Sequence, residues 1–295
     1  MNGLLIVNHF LNSAKFEEIY QWLCISANKK GIKLKRCSNA DVIVELNRNP
    51  MWLLEPESRP DFVLFWDKDI RLAKLIESYG VRLFNSSDSI EICNDKARMY
   101  ITLRNHSVEM PKTSLIPMSF HHVDWEKMDL LHEICESFSF PIILKECYGS
   151  FGERVFLVHS IDELIKKIMG IENRPVIIQE FISSSKGRDI RVNVVGDNVI
   201  ASMFRYSVTS DFRANVTNGG KMKVWEPTSE QAEMAVSACK ILGLDFGGVD
   251  ILFDENDAPI LCEVNSNAHF KNIFDCTGIN VADYTLDYIK KCIYE

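Results

Sequence analysis

Much of what this chain can be is limited first by what its sequence lacks. Its 295 residues contain no Cys-x-x-Cys pair and no His-x-x-x-His spacing, which argues against a zinc site or a dithiol redox motif. Nine cysteines are scattered singly. That pattern reads as reduced, mostly buried thiols and gives the expectation of a cytoplasmic protein. Apolar runs such as LLIV (4–7) fall far short of the roughly 20 residues that span a bilayer. LLIV also lacks the charged flank and cleavage site of a leader, so neither a membrane span nor a signal peptide is expected. Basic residues are in deficit: 33 Lys and Arg against 41 Asp and Glu, a net charge of -8. A general nucleic-acid binder needs clustered positive charge, so that class is disfavoured, although a local basic pocket is still open. After the first expected strand the chain reads NHFLNSAKF, without the GxGxxG of a dinucleotide site. Internal repeats and low-complexity segments are missing as well.

What is present is an α/β pattern. GLLIVN (3–8) and DFVLFW (61–66) read as buried strands, and IKLKR (32–36) alternates like a strand. Between them Ser13 caps a helix carrying Phe16, Ile19, Leu23 and Ala27 at helical spacing, and a further helix runs through Leu72, Ala73 and Ile76. Strand–helix–strand repetition implies a small parallel sheet with crossover helices. Residues 85–117 read as a connection containing one helix, NDKARMYITLRN. A second lobe follows: a helix from Trp125 to Phe138, the strand PIILKE, a glycine loop, the strand VFLV, and a helix boxed by Ser160 and Glu163. The last third is richer in strands. DIRVNVV and VIASMFRY form a hairpin across Gly196-Asp197, Thr228 and Gln231 box a helix, and GVDILF pairs with ILCEVN. The expected division is 1–85, 86–175 and 176–295.

Four stretches could carry chemistry. In ILCEVN, Glu263 and Asn265 share one strand face, and Asp250 can face them from the paired strand. Two carboxylates and an amide oxygen suit Mg²⁺; the alternative is a hairpin with one solvated face. In KECYGSFGERV, Gly149 and Gly152 flank Ser150 and Phe151 in a loop whose backbone N–H groups can cradle phosphates. It is not GxxxxGK[ST], and most glycine loops are only turns. Lys145 ends the apolar strand before it and either needs an anion or snorkels to solvent. In QEFISSSKGRDIRV, the backbone around Phe181 and Ile182 could meet an adenine edge and Asp189 ribose hydroxyls; otherwise this is a loop between strands. In RYSVTSDFRANVTNGG, Arg205, Arg213 and Asn215 are anion-recognition groups or unrelated surface residues.

The order of these pieces carries more than any one of them. NDK (94–96), FPIILKECYGSFGERV, IIQEFI, GRDIRV, DFRAN, GGVDILF and CEVNSN together resemble the ATP-grasp superfamily, and within it the RimK-type (alpha-L-glutamate ligase-like) carboxylate–amine ligases, from about Asn85 to the C-terminus. The resemblance implies an ATP-grasp fold preceded by a small parallel-sheet domain. It implies ATP and one or two Mg²⁺ ions as cofactors, with Mn²⁺ as a substitute. By position, Lys96 and Lys145 match the phosphate-contacting lysines, and Gly149, Ser150, Phe151 and Gly152 the loop over the phosphates. Gln179, Glu180, Phe181 and Ile182 match the adenine hinge and Asp189 the ribose acid. Asp250, Glu263 and Asn265 match the metal ligands, and Arg205, Arg213 and Asn215 the residues near the γ-phosphate and reacting carboxylate. The implied reaction joins an amino-acid or peptide carboxylate to an amine, small or at a protein or peptide terminus, through an acylphosphate. An ATP-grasp kinase acting on a hydroxyl and a non-catalytic nucleotide sensor are the alternatives; a homo-oligomer is left open. One departure stands out. Where many relatives continue after Asn265 with small residues, a proline and a glycine, this chain has Ser266-Asn267-Ala268-His269-Phe270-Lys271.

Overall fold

The computed structural model describes residues 1–11, 13–42, 59–118, 129–149, 152–171, 173–214 and 219–295. The first sheet is parallel, in the order β2-β1-β3-β4, from β1 (Asn2–Val7), β2 (Lys33–Ser38), β3 (Phe62–Trp66) and β4 (Leu83–Phe84). The apolar runs of β1 and β3 occupy its middle because helices α1 (Ala14–Lys29) and α2 (Ile70–Ser78) accompany the crossovers; Leu5, Ile6, Val63 and Leu64 are fully buried. The alternating KLKRCS strand lies at the edge, where half its side chains can reach water.

The connection expected to contain one helix holds two: NDKARMYITLRN forms α4 (Lys96–Leu103), and α3 (Ser87–Asn94) precedes it. Asp95 divides them. Its backbone is extended and its carboxylate accepts from the N–H groups of Ala97 and Arg98, so the residue that could have continued one helix caps the next.

The second sheet is antiparallel, in the order β5-β8-β6-β7, from β5 (Thr113–Leu115), β6 (Ile142–Glu146), β7 (Val155–Val158) and β8 (Val176–Glu180). Helices α5 (Asp129–Cys135) and α6 (Ile161–Ile171) cover one face over Ile142, Leu144, Val158 and Ile178. The start of the expected helix at Trp125 lies outside the described residues. At α6 the capping box is only half formed: Ser160 accepts from Glu163 N–H, but the Glu163 carboxylate reaches the His159 N–H instead of that of Ser160.

The third sheet is antiparallel, in the order β11-β10-β9-β12-β13, from β9 (Arg188–Val195), β10 (Asn198–Tyr206), β11 (Lys221–Val224), β12 (Phe246–Phe253) and β13 (Pro259–Asn265). Gly196, at φ +57°, makes the two-residue β9–β10 turn. The period of two gives this sheet two unlike faces. Ile190, Val192, Val249, Ile251 and Val264 pack under helix α7 (Ser229–Ile241), whose Thr228–Gln231 capping box is complete. The opposite face carries the charged residues. Two helices, α8 (Lys271–Thr277) and α9 (Val281–Tyr294), close the chain.

The first and third sheets share one core. Leu5, Leu64, Trp66 and Phe84 pack with Val195, Met203, Phe246 and Phe270, and Trp66 stacks on Phe246 at 5.7 Å. At the seam Asn85 is fully buried and makes four hydrogen bonds. Its Oδ1 accepts from Asp245 and Phe246 N–H (2.7 and 3.1 Å), and its Nδ2 donates to the carbonyls of Phe246 and Ser266 (2.9 Å each). A buried polar group left without its partner costs about 1–3 kcal/mol. Asn85→Leu is therefore expected to lower stability by at least ~3 kcal/mol, measured by urea unfolding at constant m-value.

Candidate active site

The charged face of the third sheet and the strand ends of the other two enclose a cavity of ≈ 540 Å³. Its geometry begins with register. Arg191, Asp250 and Glu263 lie side by side across β9, β12 and β13, and Asn193, Gly248 and Asn265 form the next row. Arg205 on β10 is opposite Asp189 on β9. The register shifts between Asp250 and Ile251, the bulge that leaves Cys262 unpaired on β13.

These charges are tied together. Arg191 donates Nε and NH2 to the two oxygens of Asp250 at 2.7 and 2.6 Å. Arg205 donates the same pair to Asp189 at 2.6 and 2.7 Å, and its NH2 also lies 3.0 Å from Asp250 Oδ1. Burial works against the Asp250 charge, but the two guanidinium groups outweigh it and hold its carboxyl below the usual range. At Asp189 burial pushes the carboxyl above the usual range, against the pull of Arg205. The bidentate distances are those of a carboxylate in an arginine fork, so the pair is ionised, in keeping with an Arg205 pKa held above its ordinary value against the effect of burial. Both arginines are thus aimed from behind, and neither uses its NH1 group in these contacts.

Glu263 lies 3.4 Å from Lys96 Nζ, which also donates to the carbonyl of Gly149 at 3.1 Å. Lys145 does not snorkel: it is buried, with Cys262 Sγ at 4.0 Å. Burial opposes its charge, yet the surrounding groups hold its pKa above the ordinary lysine value. Burial also pushes Cys262 up to about 11 and Tyr100 up to about 12, so at neutral pH the anions around Lys145 are Glu263 and Asp250. Arg213 NH1 reaches the carbonyl of Gly152 at 2.7 Å, while its Nε and NH2 hold Asp211. On the second sheet, Gln179 is buried with its amide on Thr113, Glu180 accepts from Lys112 N–H at 2.7 Å, and β8 ends there, so Phe181 and Ile182 leave the ladder at the cavity wall.

Of the residues singled out from the sequence, Lys96, Lys145, Gly149, Gly152, Gln179, Glu180, Phe181, Ile182, Asp189, Arg205, Arg213, Asp250, Glu263 and Asn265 all line this one cavity. Ser150, Phe151 and Asn215 lie outside the described residues. The ribose expectation for Asp189 meets a different arrangement: its carboxylate is buried in the fork of Arg205. Sequence reasoning missed Arg191, although Asp189-x-Arg191-x-Asn193 carries the period-two signal that places all three on one face. It noticed Asn267 and His269 only as a departure from many relatives, and it missed Asp67, which lines the cavity with them.

A model of the RimK-like ATP-grasp domain matches residues 93–289. This chain belongs to the RimK-like ATP-grasp family. A probable alpha-L-glutamate ligase of Maridesulfovibrio salexigens is 35% identical over 223 residues, 75% of this chain and 71% of its own length. An uncharacterized protein of Mycoplasma genitalium is 36% identical over 209 residues, 70% and 72% of the two chains. The fold is similar to that of a Bacillus anthracis D-alanine--D-alanine ligase crystallised with ATP, with a TM-score of 0.69 at 19% identity over 100% of this chain and 97% of that one. The RimK-like protein described here is an ATP-grasp ligase, an enzyme that uses ATP to join a carboxylate to an amine. No helix among its described residues is long and apolar enough to cross a membrane.

Two outcomes follow from the buried charges. Removing one member of a buried pair typically costs 3–5 kcal/mol, so Arg205→Met is expected to destabilise the RimK-like chain by about that amount in urea unfolding. The buried His269 is held neutral, its pKa lowered to about 4 by burial and by Lys15, Arg191 and Lys271. The unfolded chain takes up that proton as pH falls below about 6.5, so this part of the stability is full above that pH and is lost toward 4. Between pH 7 and 5 the wild type should lose ~2 kcal/mol more than His269→Gln, read from paired unfolding curves.

Proposed function

We propose that this enzyme activates an amino-acid or peptide carboxylate as an acylphosphate and transfers the acyl group to an amine, giving ADP and phosphate. The observation that carries the reading is charge. Among the described residues, nine Lys and Arg side chains line the cavity against five Asp and Glu, in a chain whose net charge is -8. Such an excess suits two anions meeting, ATP and a carboxylate.

In this reading the adenine edge meets the backbone at Phe181 and Ile182, beyond Gln179 and Glu180. Lys96, Lys145 and the loop from Gly149 to Gly152, with Ser150 and Phe151, hold the phosphates. Arg205, Arg213 and Asn215 face the transferring phosphoryl group and the reacting carboxylate. Asp189 is assigned to orienting Arg205 and not to ribose, because its oxygens already lie in the guanidinium fork.

The donor set fits Mg²⁺. An ionised carboxylate has about four lone-pair sites, and the contacts to Arg191 and Arg205 use three of those on Asp250, leaving one on Oδ2. Glu263 stands beside it, and the buried Asn265 Nδ2 has no partner, so the amide is free to turn over and present Oδ1, its metal-binding end, at that position. Asp250, Glu263 and Asn265 would hold the ion, with Mn²⁺ as a substitute. When bound, such an ion would neutralise phosphate charge. The protein supplies position: Lys145 and the NH1 groups of Arg191 and Arg205 set the carboxylate oxygen in line with the γ-phosphorus. The O–P bond to ADP breaks as the acylphosphate forms. The neutral amine nitrogen then bonds the acyl carbon, and phosphate leaves with the C–O electron pair and takes up the proton the nitrogen gives off.

The substrate pair is found by an ADP-release screen of amino acids and peptides, in which release should require a carboxylate and rise with an amine. With the carboxylate labelled by heavy oxygen, one label atom should enter phosphate for each amide formed. Unlabelled phosphate alongside amide overturns the acylphosphate, and ADP release on a hydroxyl compound without an amine favours a kinase. Glu263→Ala, with its fold confirmed by unchanged circular dichroism, should lose about 100-fold or more in kcat, ~2.7 kcal/mol of transition-state stabilisation. Asn265→Ala, which removes a neutral ligand, should lose less.

A further inference from the structure

The end of the cavity away from Phe181 and Ile182 is not used by the reading above. It lies at the carboxyl ends of β1 and β3, where Asn8 and Asp67 emerge. In the order β2-β1-β3-β4 the chain leaves β1 toward β2 on one side, while β3 lies on the other. That is the switch point at which open α/β sheets leave a crevice for a ligand. The third sheet closes the crevice from the opposite side with the turn after Asn265. Gly248 permits it: a Cβ there would stand 2.5 Å from the Cβ of Ala268. The turn is seated directly on the charged face.

Three groups at this end accept hydrogen bonds. Asp67 is buried, and neutral groups donate to its oxygens: Asn8 Nδ2 at 3.1 and 3.3 Å and Lys68 N–H at 2.6 Å. Asn267 donates Nδ2 to the Asp67 carbonyl at 3.0 Å, which fixes its amide, and its buried Oδ1 has no partner. His269 is 8% exposed, and its Nε2 lies 3.0 Å from the carbonyl of Lys15. A carbonyl only accepts, so the proton is on Nε2 and Nδ1 is a bare lone pair; it is buried and has no partner. Buried acceptors without donors are rare and costly, and these lie in the segment that replaces the proline and glycine of many relatives.

Resting on the ligase reading, we propose that Asp67, Asn267 and His269 form the subsite that holds the amine substrate, each accepting from its nitrogen. An ammonium group offers three donors to three acceptors, one of them anionic. A carboxylate, with no proton to give, makes no hydrogen bond to these three acceptors. The subsite brings the amine to the crevice between the two sheets, facing the carboxylate held by Arg191 and Arg205.

The test needs no turnover, so it stands apart from the success or failure of the ligase reading. Protein labelled with ¹⁵N-histidine is titrated with L-alaninamide, an amine without a carboxylate, and separately with N-acetyl-L-alanine, a carboxylate without an amine. The His269 Nδ1 resonance is assigned by its loss in His269→Gln. It should shift saturably with alaninamide and stay in place with N-acetylalanine. Asp67→Asn, similar in shape but uncharged, should weaken the alaninamide effect at least tenfold. A shift with N-acetylalanine instead, or none with alaninamide, overturns the proposal.

Discussion

The carboxylate of Asp250 is the point on which the site is built. Two guanidinium groups converge on it, one of them also held by Asp189, and all four groups are largely buried on one face of an antiparallel sheet. Burying such charges is tolerated only when each is paired and hydrogen-bonded. The pairing here follows from register: a slip of one residue on β9 would send Arg191 and Asp189 into the apolar layer under α7 and bring Ile190 and Val192 to the cavity. The packing of Ala235 and Ala238 against that apolar layer thereby fixes where the charges point. Core and site are two faces of one constraint.

The same network explains how a chain rich in acid can hold anions. The acidic groups at the cavity do not cancel the basic ones; they orient them. Asp250 holds Arg191 and Asp189 holds Arg205 by Nε and one terminal nitrogen, and Asp211 does the same for Arg213, whose other terminal nitrogen donates to the Gly152 carbonyl. Side-chain entropy that would otherwise be lost on binding is lost during folding, so the guanidinium groups meet a ligand already positioned.

Much of this was readable in the sequence, and the unreadable part has a consistent cause. Asp250, Glu263 and Asn265 could be placed together because strand alternation and hairpin pairing are local rules. The same rule contains Arg191, but its partner is on a strand 59 residues away, and only the sheet order shows that Asp250 uses it. Asp189 shows the converse: its residue type fitted a ribose contact, and a neighbouring strand supplied Arg205 first. The break between α3 and α4 turned on whether Asp95 continues a helix or caps one, a choice decided by its backbone angles. The wall of Asp67, Asn267 and His269 joins residues about 200 positions apart, brought together by a core that includes Trp66, Phe246 and Phe270.

The four hydrogen bonds of Asn85 have a mechanical consequence. They fasten the backbone after β4 to β12 and to the turn after β13, inside a core that the first and third sheets already share. The second sheet has its own core under α5 and α6. The crevice wall and the charged face are therefore held in alignment by the fold itself, as one riveted frame, while the second sheet reaches that frame through Cys147 and Ile177.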